Sequence, residues 1–97
     1  MTPEQLLAIY AQHIENLKDP DETGLDEELV LLTRSSVAGE DWTPEQRRQI
    51  DRLDDKLVTY WRSFSEVLPN PNYQDRAQWW WFLNEGPQVR KQTKVLA

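Results

Sequence analysis

The side chains that could do chemistry in this sequence are few. Asp51, Asp54 and Asp55 crowd a short stretch beside Arg47, Arg48, Arg52 and Lys56. Two neighbouring carboxylates can act as a general acid and base only where burial or like charge drives their pKa values apart. Among so many cations, a solvated helix face with i,i+4 support such as Arg47–Asp51 is the expected use. His13 is the only histidine. One imidazole builds no metal site, and no Glu-x-x-His spacing accompanies it. His13 is therefore expected as a core or interface imidazole, with a pH-sensitive contact as its functional alternative.

Asp19-Pro20-Asp21-Glu22-Thr23-Gly24 matches the first, third and sixth positions of a calcium loop. Asp26 stands where an apolar residue belongs, and Val30 where the bidentate Glu belongs, so an acidic turn is expected instead. There is no cysteine, hence no thiolate nucleophile, thiolate metal site or disulfide. The three glycines, Gly24, Gly39 and Gly86, stand singly, and none belongs to a phosphate loop. The chemistry present points away from an enzyme, a metal or any cofactor.

The most informative segment is Trp79-Trp80-Trp81-Phe82-Leu83. On an α-helix consecutive residues point about 100° apart, so these side chains would surround the axis. A small bundle offers one stripe of core to each helix. At least one of these tryptophans is therefore expected at an interface, where tryptophan is enriched among binding hot spots. Trp79, Trp80, Trp81, Phe82 and Trp61 are the candidate partner-binding residues. In the plainer reading Trp80 or Trp81 lies flat on the surface under an arginine such as Arg76.

The elements that position these residues are helices. Thr2-Pro3-Glu4-Gln5 and Thr43-Pro44-Glu45-Gln46 repeat one start signal, a capping threonine, a proline at the first helical position and a capping-box glutamine. A first helix is predicted from Pro3 to Lys18, with Leu6, Leu7, Ile9, Tyr10, Ile14 and Leu17 on one face. A second spans Asp26–Ala38 and stops at Gly39, with Leu25, Leu29, Leu32 and Val37 on a broad face. Leu29–Thr33 could also make a short strand, although neighbouring helices favour helix.

Ile50, Leu53, Leu57, Tyr60, Phe64 and Val67 repeat at heptad spacing, predicting a third helix from Pro44 to about Leu68. Pro69-Asn70-Pro71-Asn72 makes a corner. A fourth helix then runs from Tyr73 to about Glu85 and ends at Gly86-Pro87.

The expected fold class is all-α: a small four-helix domain of up-down topology, with a three-helix bundle-like core and a Trp-rich fourth helix. One domain covers 1–86, followed by a basic, frayed tail over 87–97. At 97 residues there is room for a single modest core, which oligomerisation would strengthen.

The net charge of −6 is uneven. Residues 1–41 hold ten acids against Lys18 and Arg34, giving −8; residues 42–86 hold seven acids against six bases, giving −1; Arg90, Lys91 and Lys94 give the rest +3. The acidic front half repels phosphate, so no direct nucleic-acid binding is expected. The start Met1-Thr2-Pro3-Glu4 has neither a basic nor an apolar run, so no signal peptide is expected. No apolar run is long enough for a membrane span, and a cytoplasmic location is expected.

These features together predict a non-catalytic helical interaction or assembly module, an adaptor or regulator, that binds a protein partner, forms a homo-oligomer, or both. Two alternatives stand beside it. The acidic front half could imitate nucleic acid and occupy a basic cleft. A pocket lined by Trp61, Tyr60 and the tryptophan run could sense a small molecule.

Overall fold

The computed structural model describes residues 2–19, 22, 24–64 and 78–90. The protein is all-α, and no strand occurs among the described residues. It forms two compact units, 1–57 and 58–97.

The first unit holds three α-helices: α1 (Pro3–Asn16), α2 (Glu27–Ala38) and α3 (Pro44–Thr59). Both predicted start signals operate. Gln5 N–H donates to the Thr2 hydroxyl while Thr2 N–H donates to Gln5 Oε1. The same reciprocal pair joins Gln46 and Thr43 at the start of α3. Each cap satisfies amide donors that a helix end leaves without partners. Asp26 caps α2, its Oδ1 accepting from Glu28 N–H at 3.0 Å and Leu29 N–H at 3.4 Å. Leu29–Thr33 lies wholly within α2, which settles the helix-or-strand alternative.

α1 packs against α2. Leu7, Tyr10, Ile14 and Leu17 are buried from the first helix, Val30, Leu31 and Val37 from the second, and Ile50, Leu53 and Leu57 from the third. The face expected for α2 needs correction. Leu29 and Leu32 were expected toward the core, yet they are 49% and 40% exposed, whereas Val30 and Leu31 are covered. Four consecutive apolar residues, Leu29–Leu32, encircle a helix and leave two stripes in competition. The stripe that turns inward is Val30–Arg34–Val37, because a partner for Arg34 waits on α3.

The third helix is also shorter than expected. It ends at Thr59, and Trp61–Phe64 continue as a 3-10 segment, with Ser63 N–H donating to the Tyr60 carbonyl. Its α-helical part is therefore about 24 Å long, not the 36 Å that a run to Leu68 implies. Val58-Thr59-Tyr60-Trp61 joins β-branched and aromatic residues of lower helix propensity, where the coil tightens. The apolar periodicity still marks burial correctly, since Phe64 is covered. Val67, Leu68 and the Pro69–Asn72 corner lie outside the described residues.

In the second unit Trp79–Glu85 is a 3-10 segment with a kink at Phe82 (φ −116°, ψ 19°), where a regular α-helix was expected. It packs against the Trp61–Phe64 segment. Of the tail expected over 87–97, residues 87–90 are described. Gln88–Arg90 are helical, and Val89 and Arg90 are buried. No helix among the described residues is long and apolar enough to cross a membrane.

Candidate functional site

Two places in the first unit gather the side chains of interest, and they lie on different faces of α2. The first is a buried polar triad. Tyr10, Arg34 and Asp54 each occupy the middle of an apolar stripe, between Leu7 and Ile14, Val30 and Val37, and Ile50 and Leu57. Arg34 Nε donates to Asp54 Oδ1 at 2.8 Å and Arg34 Nη2 donates to Oδ2 at 2.9 Å. The Tyr10 hydroxyl donates to Oδ1 at 2.6 Å. One carboxylate thus ties all three helices together. Burial by itself would lower the Arg34 pKa, but hydrogen bonding and charge from Asp54, with help from Tyr10, raise it above its ordinary value. The guanidinium is permanently charged.

Asp54 therefore corrects the solvated-face expectation for the Asp51–Asp55 stretch. Asp51 and Asp55 are exposed, whereas Asp54 points into the core. A cavity of about 300 Å³ opens beside the ion pair, lined also by Val37, Ala38, Trp42, Arg47, Ile50 and Asp51. Trp42 is fixed there, its Nε1 donating to the Val37 carbonyl at 2.7 Å. The carboxylate faces a matched guanidinium, and both of its oxygens are engaged by Arg34 and Tyr10.

The second place is a groove of about 350 Å³ between α1 and α2, lined by Leu6, Ile9, His13, Leu29, Leu32, Thr33 and Ser36. Leu6, Ile9 and His13 follow one another at spacings of three and four, so they form one stripe on α1. Thr33 and Ser36 would seem to make the opposite wall polar. Their hydroxyls, however, donate back to Leu29 and Leu32 carbonyls at 2.8 and 3.3 Å, leaving mainly methyl and methylene surface toward the groove. His13 is half-buried, and its Nδ1 is covered without a hydrogen-bond partner. Burial lowers its pKa below 6.5, which keeps the ring neutral at pH 7.

The residues expected to bind a partner lie in the second unit, and the structure covers most of them. Trp79, Trp80 and Trp81 are only 6%, 4% and 2% exposed. At least one of them was expected at an interface; within this chain all three are buried. Trp79 and Trp80 meet edge to face with ring centroids 5.6 Å apart, and the Arg90 guanidinium lies 5.7 Å from the Trp79 ring centroid. Val89 and Leu83 are buried with them. Arg90, beyond Gly86, thus contributes to the cover of Trp79. Phe82 and Trp61 are half-buried, and Arg62 stands 5.2 Å over the Trp61 ring. Arg76, the expected cation, lies outside the described residues.

Sequence reasoning missed Tyr10–Arg34–Asp54 and the Leu29–Leu32 groove. A signal for the triad was present. Asp54 sits four residues after Ile50 and three before Leu57, and Arg34 holds the matching place between Val30 and Val37. No cluster of three or more His, Cys, Asp or Glu suited to a metal ion occurs among the described residues. No protein family, curated protein or solved structure matches this chain.

Proposed function

We propose that this protein is a non-catalytic helical interaction module that engages another polypeptide through the groove between α1 and α2. The observation that carries this reading is the exposure of Leu29 and Leu32 beside Leu6 and Ile9, on a packed pair of helices. Contiguous apolar surface of this kind on a small acidic protein marks a contact site more often than a scattered leucine does. The buried triad supports the reading indirectly. It turns Arg34 inward and so leaves the Leu29–Leu32 stripe outward.

The tryptophan cluster takes a structural part in this reading, as the core of the second unit. The test is the double substitution Leu29→Ser with Leu32→Ser, compared with the unaltered chain by light scattering and by capture of a binding partner. Association that disappears in the double variant, with helicity unchanged by circular dichroism, supports the groove. Association that survives it, or that instead depends on Trp80 and Trp81, refutes it.

A further inference from the structure

Resting on the interaction reading above, we infer that the occupant of the α1–α2 groove is an amphipathic helix of a partner protein that carries lysine or arginine beside its apolar face.

The charge around the groove argues for this occupant. On α1 and α2 every exposed charged side chain is acidic: Glu4, Glu15 and Glu28, with Glu27 half-buried. Arg34, the one arginine or lysine within these helices, is buried against Asp54. Lys18, just beyond α1, is engaged by Glu15 at 2.8 Å. The acids are not evenly placed. At about 100° per residue Glu4 and Glu15 fall on the side of α1 away from Leu6, Ile9 and His13. Beside that stripe stand the amides Gln12 and Asn16, joined to each other at 3.1 Å.

The α2 side carries the charge instead. Glu28 lies one turn before Leu32, and Glu40 lies just beyond the end of α2 at Ala38. Both are exposed, and the twelve-residue helix Glu27–Ala38 is about 18 Å long. A helix laid in the groove would thus meet an apolar floor, an amide-lined edge along α1 and an exposed acid at either end of α2. Apolar anchors at i, i+3 or i+4, and i+7 fit such a floor. Cations about three turns apart fit the acids at the two ends of α2.

A second copy of this chain fits poorly. It would bring together two segments of net charge −8 over residues 1–41. An acidic partner helix meets the same repulsion.

The experiment uses the full chain and two labelled synthetic helical peptides with identical leucines, one flanked by lysine and one by glutamate, followed by fluorescence anisotropy. The lysine peptide should bind, weaken at least about tenfold with Leu29→Ser/Leu32→Ser, and weaken about three- to tenfold with Glu28→Gln/Glu40→Gln. Its affinity should also fall as salt is raised from about 50 to about 300 mM. The glutamate peptide should not bind.

Failure of the lysine peptide to bind overturns the inference. So does equal affinity for the Leu29→Ser/Leu32→Ser variant, which would reduce the contact to charge attraction alone. Equal binding of the glutamate peptide overturns it too. A dimer of the chain by light scattering that Leu29→Ser/Leu32→Ser dissolves would reject the basic helix while leaving the interaction reading standing.

Discussion

Arg34 and Asp54, twenty residues apart in sequence, meet through two parallel hydrogen bonds of 2.8 and 2.9 Å, with both side chains buried. Two charges removed from water repay their desolvation only when geometry and extra hydrogen bonds are good. Here the fork of the guanidinium matches the carboxylate, and Tyr10 adds a third bond. The pair decides which stripe of α2 faces inward, and thereby which leucines face outward.

Breaking this pair from one side should be costly. Asp54→Leu leaves a buried, unpaired guanidinium, and an expected loss of about 3–5 kcal/mol can be read by urea denaturation. The double variant Arg34→Met/Asp54→Leu removes both charges and should recover most of that loss. Tyr10→Phe deletes one bond to a charged acceptor and should cost about 1.5–3 kcal/mol. A double variant as unstable as Asp54→Leu alone would show that the triad's shape, and not its charge balance, matters.

The tryptophan run should behave as core. Trp81→Ala is expected to cost about 3–5 kcal/mol, because a large buried ring leaves a cavity that the neighbours cannot close. Fluorescence of the intact chain should show strong protection of part of its emission from acrylamide, with Trp42 and Trp61, both half-buried, supplying the quenchable part. Uniformly easy quenching would contradict the burial of Trp79, Trp80 and Trp81.

His13 gives the stability a pH dependence of definite sign. Burial lowers its folded-state pKa below the ordinary 6.5, so the unfolded chain takes up the proton first as pH falls. Its contribution is complete above pH 6.5 and diminishes as pH drops from there through the lowered folded value. Denaturation at a series of pH values should show the unaltered chain losing stability relative to His13→Gln across that interval. A difference that is flat, or that grows in the other direction, would contradict a neutral, buried imidazole.

The cap at the start of α3 admits a direct check. Thr43→Ala removes the acceptor of Gln46 N–H, and a loss of about 1 kcal/mol is expected by thermal or chemical denaturation. Thr43→Ser should retain most of the stability.

Helix starts were legible because capping is local chemistry: Thr2, Asp26 and Thr43 act on amides two or three residues away. The extent of α1 and α2 was legible for the same reason. Less could be read where two outcomes differ by small local energies. Whether the coil stays α-helical past Thr59, or tightens into the 3-10 segment at Trp61, depends on packing that a heptad pattern does not encode. The burial of the tryptophan run could not be read because a wheel shows directions, not what stands in them.

By itself, the sequence determined an all-α chain, its caps and breaks, an acidic front half and the apolar periodicity of each helix, all matters of neighbouring residues and composition. Only the tertiary structure decided that Asp54 and Arg34 turn inward together, that Leu29 and Leu32 turn outward, and that Trp79, Trp80 and Trp81 are covered. The physical reason is common to all three. A side chain's burial depends on the free energy of its partner's burial as well as its own, and those partners lie many residues away along the chain.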